Sequence, residues 1–203
     1  MTQQAARSEK TRQRIMSYAM HIFSERGFRR ITVEEICSGV AVSKRTFYKY
    51  FPNRDALVEA LVADRMGGVG PKIMANLQSD KPVRQIMKDH YEILTTEVFQ
   101  QVSSQMMFDI QTLMPELWEQ ILSFRSFIFD EIGKLIRRGQ ADGSLRRDMD
   151  PETAGRLIQG ILNRVANPDF ANELGMTMDQ LAGGLLKILW TGMLSPESEG
   201  VEK

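Results

Sequence analysis

The sequence is poor in the residues that bind metals and form covalent cross-links. Cys37 is the only cysteine, so no intramolecular disulfide can form and nothing indicates an oxidising compartment. His21 and His90 are the only histidines, and neither follows a glutamate by three residues as in the Glu-x-x-His pairs of di-iron bundles. No grouping of Ser, Cys and His indicates a nucleophile. The sequence therefore predicts no metal, no cofactor and no enzyme.

Long apolar runs are absent as well. No stretch approaches the roughly 18 uninterrupted apolar residues of a transmembrane helix, and the amino terminus has no apolar run after its charges. No run with alternating apolar and polar residues lies between hairpin turns, so strands are not expected. The sequence predicts an all-α protein that is cytoplasmic and has no membrane partner.

The chain also lacks net charge, but its charges are unevenly distributed. Residues 1–54 hold eleven Lys or Arg against four Asp or Glu, whereas residues 55–203 hold fifteen against twenty-two. A basic head on an acidic body is typical of a protein in which one end meets nucleic-acid phosphates. We therefore predict a nucleic-acid-binding domain over residues 1–54 and a larger helical domain over residues 55–203.

Two short helices joined by a tight turn are predicted between residues 32 and 52. Thr32 and Glu35 have the spacing of a capping box, in which each side chain bonds a backbone N–H at the helix start. Ser38-Gly39 ends this helix, Ser43 caps the second, and Pro52 stops it. The pattern is that of a helix-turn-helix, whose second helix enters the DNA major groove.

The second helix has an apolar side and a cationic side. Phe47 and Phe51 lie within about 40° of each other around the helix. Arg45 and Lys49 lie nearly opposite. A helix this short needs its aromatic side packed, so its outward surface is cationic and hydrogen-bonding. An ordinary core helix with a solvated basic face is the alternative, but the cap, the turn and the charge together favour DNA binding.

The stretch from Val42 to Leu57 resembles the DNA-binding signature of the TetR family of bacterial transcriptional regulators. The resemblance continues upstream through Phe23, Gly27 and Thr32 and covers about the first sixty residues. Ala41 stands where the family usually has glycine, so we expect a differently shaped turn. The resemblance implies phosphate contacts by Thr32, Tyr48, Tyr50 and Arg54, and base-edge contacts by Lys44, Arg45, Thr46 and Lys49 next to the cap Ser43.

The body is predicted as a series of helices. We expect the glycines between Met66 and Pro71 to break or kink the connecting helix and permit the head to swing. After Pro82, a helical stretch continues through Val98 and another extends from Met106 to Met114. Further helices are expected over residues 116–139, 151–165 and 177–194, with a loop over residues 167–176.

The resemblance implies that the body binds a small-molecule effector. The body is rich in methionine and aromatic residues, which suit an adaptable apolar cavity, although each is individually more typical of a core. The candidate pocket residues are Met87, Met106, Met107, Phe108, Phe124 and Phe127, and the polar candidates are Gln105, Asp109 and Arg125.

The last predicted helix is apolar on two sides, so both sides must be buried. Its own body can cover one side, and a second subunit is the simplest cover for the other. Pairing of the last two helices in TetR-family dimers agrees with this, and the candidate interface residues are Leu157, Ile161, Leu181, Leu185, Leu189 and Trp190.

The resemblance thus implies a homodimeric repressor that a small apolar ligand releases from a palindromic DNA operator. A TetR-like activator is an alternative within the family. A helical protein-interaction adaptor would explain the two-sided last helix, but it would not explain the basic head.

Overall fold

The computed structural model describes residues 3–165, 170 and 173–194, and it contains α-helices and no β-strand within these residues. This confirms the predicted all-α fold. The helices are α1 Gln3–Arg26, α2 Val33–Gly39, α3 Lys44–Tyr50, α4 Arg54–Leu77, α5 Val83–Ile93, α6 Ser104–Leu113, α7 Pro115–Asp142, α8 Pro151–Val165 and α9 Met178–Met193.

The first three helices form a compact head. Ile15, Ala19 and Phe23 of α1 pack with Ile36 of α2 and Phe47 of α3, and all five side chains are fully buried. Helix α1 begins at Gln3, within the polar amino-terminal segment. Its first turns consist mainly of glutamine, alanine and arginine, which favour helix even without burial.

Helix α4 connects the head to the body without interruption. The expected break between Met66 and Pro71 is absent, because the helix continues through Pro71 to Leu77. Val69, Ile73 and Leu77 are buried in the body, and this burial offsets the poor helix propensity of the glycines and of Pro71. The connection between head and body is therefore one continuous helix.

Helix α5 ends earlier than predicted. Residues Leu94–Val98 form a π-helical turn and Phe99–Gln101 a 3-10 turn before α6 begins. The Thr95 hydroxyl donates a hydrogen bond to the Tyr91 carbonyl at 2.8 Å, and such side-chain bonds compete with regular backbone pairing. Helices interrupted by π turns often have a functional reason, and this irregular segment lines a cavity described below.

The long helix α7 begins with Pro115 as its first residue and is followed by the left-handed Gly143. Asp150 then caps α8, because its Oδ2 accepts a hydrogen bond from the Thr153 N–H at 2.7 Å. The loop predicted over residues 167–176 falls partly outside the described residues. Phe170 and Glu173 are helical, so that prediction is wrong at these two positions.

Two main hydrophobic cores hold the chain together. The first core extends from the head onto α6 and the start of α7, through Met106, Ile110 and Trp118. The second joins the later part of α4 with α5, α7, α8 and α9. None of the helices in the described ranges is both long enough and apolar enough to cross a membrane.

Candidate nucleic-acid interface and effector cavity

Two hydroxyl caps fix the starts of α2 and α3. The Ser43 Oγ accepts a hydrogen bond from the Thr46 N–H at 3.1 Å, as predicted. The Thr32 Oγ1 accepts one from the Glu35 N–H at 3.2 Å, but the Glu35 carboxylate bonds Arg26 at 2.6 Å. The structure therefore shows the hydroxyl half of the predicted capping box, while the glutamate pairs α2 with the end of α1.

The turn between α2 and α3 has a left-handed residue at Ala41. Its φ is +53°, and it is the one non-glycine residue with positive φ among those the structure describes. This is the position where the resemblance expects glycine, so the left-handed conformation occurs with alanine in its place. An alanine in this region is strained by about 1 to 2 kcal/mol.

Replacing Ala41 with glycine should therefore stabilise the protein by about 0.5 to 1 kcal/mol, since the relieved strain exceeds the added chain entropy. The matched control is Ala63→Gly in the exposed interior of α4, which should destabilise by about 1 kcal/mol. Urea unfolding of both variants measures the difference. Effects of the same sign would contradict the assignment of strain to Ala41.

The outward side of α3 carries exposed cationic and aromatic side chains. Lys44, Arg45, Tyr48 and Lys49 are exposed, and Thr46 is half-buried. A hydrogen bond to the Glu34 carboxylate raises the pKa of Lys44, so part of its charge is compensated. Arg45 has no ion pair within the described residues, so its charge is not compensated there.

Arg54 has a structural role that the sequence did not reveal. Its guanidinium donates hydrogen bonds to the carbonyls of Phe28, Arg29 and Ile31 at 3.0, 3.1 and 3.2 Å. The same group lies 5.4 Å from the centre of the Phe28 ring. Arg54 thus holds the α1–α2 turn against the start of α4.

Tyr50 and Thr32 also belong to the framework of the head. The Tyr50 hydroxyl hydrogen-bonds the Ser8 Oγ at 3.1 Å, and its ring is half-buried. Thr32 is exposed at the start of α2, where unpaired backbone N–H groups favour an anion. The structure therefore ties Tyr50 to α1 and leaves Thr32 and Tyr48 accessible.

An apolar cavity of about 210 Å³ lies between α4, α6, α7 and the irregular segment that follows α5. Three predicted pocket residues, Met106, Met107 and Phe124, line it, as does the polar candidate Arg125. Gly70 of α4 lies against the Phe124 ring, since a Cβ atom on residue 70 would lie 2.7 Å from the Phe124 Cζ.

The other three predicted pocket residues do not line this cavity. Met87 is buried in the second core, and Phe108 is half-buried elsewhere on α6. The Phe127 side chain is 54% exposed to solvent and is absent from the cavity wall. These assignments came from residue type, whereas the helical positions decide which side chains face inward.

The predicted dimer-interface residues divide into two groups. Leu157 is 58% exposed, and Ile161, Leu185 and Leu189 are half-buried. Leu181 and Trp190 are buried within the chain's own cores, so they do not belong to an outer face. The Trp190 ring packs edge-on against His90, with ring centres 6.1 Å apart. Ile188 of α9 is 70% exposed.

Asp109 of α6 joins the body to the head. Its buried Oδ2 accepts hydrogen bonds from the N–H groups of Phe28 at 2.8 Å and Arg29 at 3.0 Å, and Gln105 donates to Oδ1 at 3.0 Å. Gly27 permits this approach, since its φ is +69° and a Cβ atom would lie 2.4 Å from the Asp109 Oδ2. Asp109 therefore contacts the head and is not a residue of the cavity.

The head is thus a helix-turn-helix DNA-binding unit attached to a helical body with an apolar cavity. Residues 15–61 match the family model described as "Bacterial regulatory proteins, tetR family". Over these residues the chain is similar to the TetR family of bacterial transcriptional regulators. The proteins that it resembles are regulators and not enzymes.

Similar proteins match the chain over most of its length. The transcriptional regulator UidR of Escherichia coli K12 is 24% identical, with 88% of this chain and 94% of UidR covered. The repressor KstR2 of Rhodococcus jostii RHA1 is 24% identical, with 92% and 93% covered. The solved ketosteroid regulator KstR2 of Mycobacterium tuberculosis has a TM-score of 0.67 at 16% identity, with 91% and 95% covered. This structural similarity supports the helical fold of the chain.

Proposed function

We propose that the protein is a cytoplasmic repressor that binds a palindromic operator as a homodimer and leaves it when a small apolar ligand fills the cavity. Residues 1–54 form the DNA-binding domain in this proposal, and residues 55–203 form the ligand-binding and dimerisation domain. The observation that carries it is the shared helix α6, which lines the cavity and also holds the head through Asp109. One similar protein, KstR2 of Rhodococcus jostii, is a repressor by name.

Helix α3 reads the operator in this proposal. Arg45 is exposed and has no described ion pair, so its guanidinium is available for the two acceptors of a guanine edge. Lys44, Thr46 and Lys49 flank it on the same helix, while Thr32 and Tyr48 are placed for phosphate contacts that fix register. Ser43 acts indirectly, because its cap positions the start of α3.

The dimer would form through the outer sides of α8 and α9. Leu157 and Ile188 are exposed there beside the half-buried Ile161, Leu185 and Leu189. Gly184 has open space around it, which favours close approach by a neighbouring helix. A two-fold dimer holds its recognition helices about 34 to 36 Å apart, or a multiple of this, to enter successive major grooves.

Helix α6 supplies the coupling between ligand and DNA. Met106, Met107 and Ile110 line the cavity, and Asp109 on the same two turns bonds the α1–α2 turn. A ligand that displaces α6 would move the anchor of the head. A ligand shifts an equilibrium only if it binds the two states with different affinity. In this proposal the two states differ in the position of α6, which forms part of the cavity wall.

The DNA-binding proposal is tested with Arg45→Ala on a duplex selected by the wild-type protein from random sequences. The loss of one guanine contact should cost about 1 to 3 kcal/mol on the selected duplex. Binding to a random duplex should change little, because phosphate contacts dominate there. Fluorescence anisotropy at fixed salt measures both affinities.

Arg30→Ala is the matched control, since Arg30 is an exposed arginine of the head outside α3. It should weaken both duplexes to a similar small extent. If Arg45→Ala weakened both duplexes equally, α3 would not be the reading helix. A duplex with a single half-site should bind more weakly than the palindrome, and equal affinities would contradict the dimer.

A further inference from the structure

The cavity is apolar except for two guanidinium groups. Its walls include Val69 and Ile73 of α4 and Phe99 of the irregular segment. Arg65 and Arg125 are the charged residues among the described ones that line it, and the remaining lining side chains are apolar. Two positive groups in an otherwise apolar space are an unusual combination, because a buried charge requires a partner.

The two arginines differ in their surroundings. Burial lowers the pKa of the Arg65 guanidinium, and the nearby carboxylates of Glu97 and Asp64 oppose this effect. For Arg125, burial alone lowers the pKa of the guanidinium. Arg125 also has no hydrogen bond or ion pair with any residue in the described ranges. The half-buried guanidinium of Arg125 therefore has free donors, and a ligand anion in the cavity would pair with them.

We propose that Arg125 anchors the carboxylate group of an effector whose remaining surface is apolar. This rests on the proposed effector role of the cavity and names the chemical class of the ligand. A guanidinium presents parallel N–H donors that match both oxygens of a carboxylate. The surrounding methionine, valine and phenylalanine side chains would cover an alkyl or aryl body. The cavity of about 210 Å³ favours a compact molecule.

The charge of the ligand distinguishes a carboxylate from an alcohol or an amine of similar size. A neutral alcohol of the same length would bury its alkyl chain equally well but leave Arg125 without a counter-ion. An alkylammonium ion would place a third positive charge beside Arg65 and Arg125. The site should therefore prefer the carboxylate, then the alcohol, then the ammonium ion.

The test is calorimetric titration of the full chain with octanoate, 1-octanol and octylammonium. Octanoate should bind about 10- to 100-fold more tightly than octanol, as expected for a charged hydrogen bond. Arg125→Met should remove this preference and leave octanol binding unchanged or tighter. The matched control Arg137→Met, an exposed arginine of the same helix α7, should leave all three affinities unchanged.

Equal binding of octanoate and octanol, absence of octanoate binding, or full octanoate affinity in Arg125→Met would each overturn the proposal. If Arg125→Met does not fold, Arg125→Lys serves instead and should keep a weakened preference for octanoate. Release of DNA is measured separately. Octanoate binding that depends on Arg125 but leaves DNA bound would support the carboxylate site and contradict the proposed release.

Discussion

Replacing Asp109 with alanine should destabilise the protein by about 2 to 5 kcal/mol, since it leaves buried backbone donors without an acceptor. The donors are the N–H groups of Phe28 and Arg29, which Asp109 binds at 2.8 and 3.0 Å. Water cannot readily replace the carboxylate, because Asp109 is fully buried. Urea unfolding of the purified chain measures the loss.

Asp130→Ala is the matched control, since Asp130 is an exposed aspartate of α7 and should change stability by less than about 0.5 kcal/mol. Asp109→Asn should fall between the two variants, because an amide oxygen can still accept one of the bonds. Ligand-induced release of DNA by the Asp109→Asn protein is a second measurement. An Asp109→Asn protein that folds and still couples ligand to DNA with full strength would show that this joint does not transmit the signal.

Replacing Phe47 with alanine should destabilise the head by about 3 to 5 kcal/mol, the usual effect of removing a fully buried aromatic ring. Phe47 has no exposed surface, and its ring lies 5.7 Å from that of Phe51 and 5.6 Å from that of Tyr48. The loss of DNA binding should follow from unfolding of α3. Denaturant unfolding and DNA titration of the same sample separate the two effects.

Phe127→Ala is the matched control for this substitution. The Phe127 side chain is 54% exposed, so its removal should change stability by less than about 1 kcal/mol. A Phe47→Ala protein that kept its stability but lost DNA affinity would mean that the ring meets DNA directly. Similar losses from Phe47→Ala and Phe127→Ala would contradict the described difference in burial.

The head could be predicted from the sequence because its determinants are local. The Ser43 cap lies three residues from the N–H it bonds, and Phe47 and Phe51 are one helical turn apart. Pro52 stops the helix without help from distant residues. Residues 42–57 also resemble the DNA-binding signature of the TetR family, and residues 15–61 match the model of that family.

The remaining site residues depend on contacts between distant parts of the chain. Arg54 bonds carbonyls 23 to 26 residues away, and Asp109 bonds an N–H group 81 residues away. No local pattern marks such pairs. In the body, three of the six residues chosen by amino-acid type line the cavity, and packing between distant helices places the other three elsewhere.

In the proposed ligand response, the unbroken α4 would act as a lever arm between the cavity and the recognition helix. Gly70, beside Phe124 in the cavity wall, lies sixteen residues from Arg54 at the head. This span is about 24 Å at a rise of roughly 1.5 Å per residue. An angular change of about 5° at Gly70 would then displace Arg54 by roughly 2 Å, the size of helix shifts in known switches. In the proposed homodimer, opposite movements of the two heads would double this displacement. The two recognition helices would then no longer match the fixed spacing of successive major grooves.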